Sequence, residues 1–88
     1  MTKVDPSTLP FLPVLPGNSL VLTDSKSERR KGMDNDDEYY DELASNGAVV
    51  AKYHVWHHLN IYPPQRVDEG WQKTAPDGKV VANGSKKQ

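Results

Sequence analysis

The sequence contains no cysteine. That excludes disulfides, thiolate metal ligands and thiol nucleophiles together. It is also short of core-forming side chains: Val, Ile, Leu and Phe make up about a fifth of the 88 residues. At a net charge of −1 this is thin for a core without being decisive for disorder. The length limits the chain to one small domain. Lacking the usual staples of small domains, it is expected to lean on a partner, either another copy or a larger protein. The near-neutral charge gives no general pull toward nucleic acid or membrane. No apolar run approaches transmembrane length, and Pro6, Pro10, Pro13 and Pro16 interrupt what would be the hydrophobic part of a secretory signal. The expected setting is the cytoplasm or a virion. There is no glycine-rich phosphate loop and no serine in a nucleophile elbow, so no enzyme, no catalytic residue and no cofactor are expected.

What the chain does have is concentrated in residues 48–62, AVVAKYHVWHHLNIY. Read with period two, Val49, Ala51, Tyr53, Val55, His57, Leu59 and Ile61 form one face, apolar except for His57. Val50, Lys52, His54, Trp56, His58, Asn60 and Tyr62 form a mixed polar and aromatic face. A helix would bring His54, His57 and His58 onto one side, at the spacing of metal ligands. Three valines, an isoleucine and three aromatic rings favour the pleated surface instead. The stretch therefore reads as a long strand, bounded by Gly47 and Pro63-Pro64, with a bulge near His57-His58. On a strand, His54 and His58 share a face about 13 Å apart while His57 points away. The three could then not hold one ion without a bulge or helix, and they remain weak metal candidates. The triplet Trp56-His57-His58 resembles the motif of WHH-type members of the HNH nuclease toxins. In that family further histidines downstream complete the metal and base set; here none follows His58, and none of the family's roles is carried over.

Residues 4–16, VDPSTLPFLPVLP, repeat with period three. Pro10, Pro13 and Pro16 form one ridge, Leu9, Leu12 and Leu15 a second, and Thr8, Phe11 and Val14 a third. This matches polyproline II geometry, and a solvated leader has no reason to be apolar on nearly every ridge. The segment is expected to be an extended arm in a groove, on this protein or another. Residues 19–23 read as a short strand. Residues 24–32 read as a polar loop whose Arg29-Arg30-Lys31 cluster is offset by the acids that follow. Residues 34–46, DNDDEYYDELASN, read as a short acidic helix, capped by Asp34 and stopped at Asn46-Gly47. They do not form an EF-hand loop: its sixth position would be Tyr39 and its twelfth Ser45. Ala75-Pro76-Asp77-Gly78 reads as the turn of a C-terminal hairpin.

These readings describe a β-rich α+β protein. It comprises a proline-rich arm (1–18), a small domain (19–82) with a short acidic helix, a long central strand and a C-terminal hairpin, and a polar tail (83–88). The expected function is non-enzymatic binding to a larger protein assembly, as accessory subunit, virion component or enzyme inhibitor; a homo-oligomer is also allowed. Leu9, Phe11, Leu12, Val14 and Leu15 of the arm, with Trp56 and Tyr62, are the expected partner-binding residues, amphipathic rings being common interface anchors. The alternative is a small metal-binding or nucleic-acid-processing protein centred on His54, His57 and His58.

Overall fold

A computed structural model describes residues 2–30, 33–60 and 66–85. Among them six strands follow one another in a single antiparallel sheet, each beside its neighbour in sequence: β1 (Thr2–Val4), β2 (Ser19–Arg30), β3 (Met33–Leu43), β4 (Val49–Asn60), β5 (Arg66–Thr74) and β6 (Val80–Gly84). The molecule is elongated, 48 Å by 25 Å by 24 Å, because β2, β3 and β4 run to 12, 11 and 12 residues.

The α+β expectation is overturned, and with it the acidic helix. The residues meant to form that helix lie in β3, and the only helical turn among the described residues is a 3-10 turn at Pro6–Thr8. Asp and Asn are weak helix formers, and the crowded acids of one helix would have had no cations beside them. In the sheet β3 lies between β2 and β4 and finds partners on both sides. Asp34 faces Arg29 across one ladder, and Asp37 stands between Lys26 and Trp56, flanked by His54 and His58. The same pairing converts the expected loop at 24–32: through Arg30 it is the outer half of β2.

The turns explain part of the misreading. Ala44 N–H donates to the Ala48 carbonyl at 2.9 Å, and Gly47 N–H to the Ala44 carbonyl at 2.8 Å. The β5–β6 turn repeats this with Ala75, Gly78 and Lys79, each contact at 2.8 Å. In both, an Asx side chain accepts from the amide two residues on (Asn46 from Ala48, Asp77 from Lys79), and a glycine takes positive φ, 87° at Gly47 and 94° at Gly78. Asn46-Gly47 is thus a hairpin turn, chemically the twin of Asp77-Gly78. The expected bulge at His57-His58 is absent, since the β4–β5 register runs unbroken from Lys52 to Asn60. The ladder shifts elsewhere, at Leu22/Asp24, Glu42/Leu43 and Lys73/Thr74.

The arm lies on this protein's own sheet. Hydrogen-bonded turns (Thr8 N–H to Asp5 O, Leu12 N–H to Leu9 O, Val14 N–H to Leu12 O) replace a continuous polyproline II helix. They lower Leu12 into a core of Leu20, Tyr40, Ala51, Tyr53, Val55 and Trp71, with Val4, Leu9, Phe11, Val14, Leu22 and Ala82 packed around it. Glu42 locks the arm in place. It is fully buried. It accepts from Tyr53 O–H at 2.6 Å, Asn18 Nδ2 at 2.6 Å and Leu15 N–H at 3.2 Å, with Lys73 Nζ at 4.0 Å. Burial alone would raise its pKa, but these donors outweigh burial and hold the carboxyl below its ordinary value. The same burial, with the hydrogen bond and charge of Glu42, pushes the Tyr53 phenol well above its ordinary range.

Candidate binding face

Alternation along β4 sorts its side chains between the two faces of the sheet. Ala51, Tyr53 and Val55 point under the arm and are buried. Their neighbours His54, Trp56 and His58 point to the opposite face, which no arm covers among the described residues. Register then selects their partners. Tyr39 lies opposite His54, Asp37 opposite Trp56, and Gly70 opposite Trp56 on the far side.

The result is a compact cluster. Tyr39 and His54 stack with ring centroids 4.6 Å apart and planes 5° from parallel. Trp56 leans on His54 at 5.2 Å and 47°. Lys26 Nζ lies 6.0 Å from the Tyr39 ring centroid, the outer limit of a cation–π contact. The Trp56 indole N–H donates to Asp68 Oδ1 at 3.4 Å. Its ring covers Gly70 so closely that a Cβ there would lie 2.6 Å from Cζ2. Gly70 is therefore required for space. On the other face Trp71 covers Gly84 in the same way, with ring atoms 2.9 Å from where a Cβ would be.

Asp37 ties the histidines together. Its Oδ1 receives His54 Nε2 at 2.8 Å and His58 Nε2 at 3.1 Å, and its Oδ2 lies 3.3 Å from His58. Burial alone would raise its carboxyl; the hydrogen bonds from His54 and His58, and their charge, outweigh it and hold the pKa below the ordinary value. Side chains four apart on a strand thus meet because an acid on the next strand stands between them. His57 is not part of this. It points to the arm side, with Nε2 3.8 Å from Glu69 Oε1. Among the described residues no group of three or more His, Asp or Glu side chains is placed to hold a metal ion. Both outward Nε2 atoms are turned onto Asp37. This face presents stacked rings and fixed polar atoms.

Of the residues singled out in the sequence, Leu12 is in the core, Leu9, Phe11 and Val14 pack against it, and Leu15 stays exposed at 60 %. Trp56 is half-buried on the open face; Tyr62 lies outside the described residues. Sequence reasoning missed Tyr39, Asp37 and Glu42, hidden among the acids and tyrosines of the supposed helix. Two surface grooves occur among the described residues. One, of about 450 Å³, is lined by Ser25, Lys26, Ser27, Asp36, Asp37, Glu38 and His57. The other, of about 390 Å³, is lined by Val67, Asp68, Glu69 and Ser85. No helix among the described residues is long and apolar enough to cross a membrane. No protein-family model, curated protein or solved structure matches the chain.

Proposed function

We propose that this is a non-enzymatic binding module that docks on a larger protein through the open face of its sheet, as an accessory or inhibitory subunit. The observation that carries this reading is the contrast between the faces. One is closed by the protein's own arm; the other keeps Tyr39, His54 and Trp56 in a continuous row of rings. Aromatic side chains bring large contact area at low entropic cost and are enriched at interface hot spots. The ring of fixed polar atoms around them, from Asp37, His58 and Asp68, suits a partner surface that is itself mixed.

The test is a quantitative pull-down from native extract with tagged full-length protein, set beside Tyr39→Ala and Trp56→Ala, each checked for native circular dichroism. A stoichiometric partner retained by wild type and lost by both folded variants supports this face as the docking site. Equal capture by the folded variants overturns it.

A further inference from the structure

β1 covers only part of the sheet edge formed by β2. Its three residues pair with Leu20, Val21 and Leu22, and the shift at Leu22/Asp24 follows immediately. From Asp24 to Arg30, β2 has β3 on one side and, among the described residues, no strand on the other. Residues 24–29 are all exposed. Such an edge presents a row of backbone N–H and C=O groups to any strand that approaches, and charged side chains are the common guard against it.

Here the charges are patterned. The edge reads Asp24-Ser25-Lys26-Ser27-Glu28-Arg29-Arg30. Two copies pairing antiparallel about a two-fold axis perpendicular to the sheet keep their faces in common, so each residue meets one whose number reflects it through the centre. With the axis at Ser27, Lys26 meets Glu28 and Ser25 meets Arg29. The charged positions on either side of the axis then face their opposites, and Arg29 faces a hydroxyl. The neighbouring symmetric registers are repulsive. Centred on Lys26, two lysines meet and Asp24 opposes Glu28. Centred on Glu28, two glutamates meet. Opposite charges directly across a ladder stabilise it and like charges destabilise it, so the pattern selects one register of self-pairing.

We propose that the protein associates with a second copy of itself through the 24–30 edge of β2, antiparallel about Ser27, to form one sheet running through both copies. Each copy's β2 then takes up the shared edge where the other copy's β1 stops, and both arms lie on the same side. The contact is one strand wide and built on exposed charge, so the association depends on concentration and weakens with salt. This inference shares Lys26 with the face described above but rests on the open strand edge and not on the row of rings.

Sedimentation equilibrium of the full chain over a concentration series, at low and high salt, is the first test. A reversible monomer–dimer equilibrium weakened by salt is expected. Lys26→Glu alone and Glu28→Lys alone each set like charges against one another twice per dimer and raise the dissociation constant about tenfold or more. An equimolar mixture of the two variants restores association, because the carboxylate introduced at position 26 of one chain meets the native Glu28 only in its own homodimer. In the mixed dimer both crossings pair acid with base: the new carboxylate of K26E meets the new ammonium of E28K, and the native Glu28 of the first meets the native Lys26 of the second. The double variant K26E/E28K restores it in a single chain, which keeps the test decisive if either single variant fails to fold. In hydrogen exchange, amides of 24–30 should slow as concentration rises while those of β6 do not. Wild type that stays monomeric throughout, single variants that dimerise like wild type, or a mixture no better than its components would each overturn the proposal. So would concentration-dependent protection confined to β6, where Val80 and Val81 are exposed on the opposite edge.

Discussion

The two ends of the long strands are held by different physics. Near the arm, β2 to β5 bury Leu20, Tyr40, Glu42, Ala51, Tyr53, Val55 and Trp71. At the far end the same strands continue for several residues and supply no member of that core. There the ladder is dressed with polar pairs: Ser27 Oγ donates to Asp36 Oδ1 at 2.7 Å, Arg29 Nε lies 3.6 Å from Asp34, and His57 and His58 meet Glu69 and Asp37. Exposed ion pairs contribute about 0–1 kcal/mol each, whereas a fully buried large apolar side chain contributes roughly 1.5–3 kcal/mol. Secondary structure looks uniform from end to end, but stability is concentrated at one end, and the far end is expected to open locally below the global unfolding free energy.

The largest expected effect comes from breaking the buried end. Glu42→Ala removes the acceptor for Tyr53, Asn18 and the Leu15 amide at once and leaves Lys73 without its buried counter-charge. Chemical denaturation should show a loss of about 3–5 kcal/mol, with the arm released. Gly70→Ala ranks next, because the new methyl would meet the Trp56 ring at 2.6 Å and the Gly84 carbonyl oxygen at 2.9 Å. It should cost about 1–3 kcal/mol and change tryptophan fluorescence, since Trp56 must leave its seat.

Acid separates the same two regions more gently. Glu42 and Asp37 both have folded-state pKa values below their ordinary 4.5 and 3.8. Each therefore contributes stability that is present above those values and lost as pH falls through the lower folded-state ones. Denaturation midpoints should be flat near neutrality and fall in this acid window. Glu42→Gln should lower stability at neutral pH and flatten the acid slope. The smallest effect is expected at the far end: Ser27→Ala deletes a 2.7 Å hydrogen bond yet, being exposed, should change stability by no more than about 0.5 kcal/mol. A loss approaching that of Glu42→Ala would break the distinction between the two ends.

How much could be read in advance depended on how local each feature was. The alternation of β4 was legible because its apolar and polar residues segregate with period two, and Ala51, Tyr53 and Val55 are buried as that period requires. Asp77-Gly78 was legible as a hairpin turn, its geometry being settled within four residues. The acidic stretch 34–46 was misread because Tyr39, Tyr40, Leu43 and Ala44 fit a narrow helical stripe as well as a strand. Only the cations and hydroxyls arriving from β2 and β4 break that tie. For the open face, sequence supplied Trp56 and the histidines but not their company. Tyr39 and Asp37 join them through register, and nothing within β4 encodes which residue of β3 will stand opposite Trp56.

By itself, then, the chain's local chemistry determined a small cysteine-free protein with a long alternating strand, glycine-dependent turns and an apolar arm. Those depend on neighbours in sequence, on φ preferences and on the two-residue repeat of an extended backbone. The tertiary structure alone decided that the arm covers its own sheet. It also decided that one acid among twelve, Glu42, becomes the buried lock, and that His54 and His58 meet on Asp37 while His57 turns away. These are contacts between residues far apart in the chain, set by the cross-strand register, and a slip of a single residue would send each of those side chains to the opposite face.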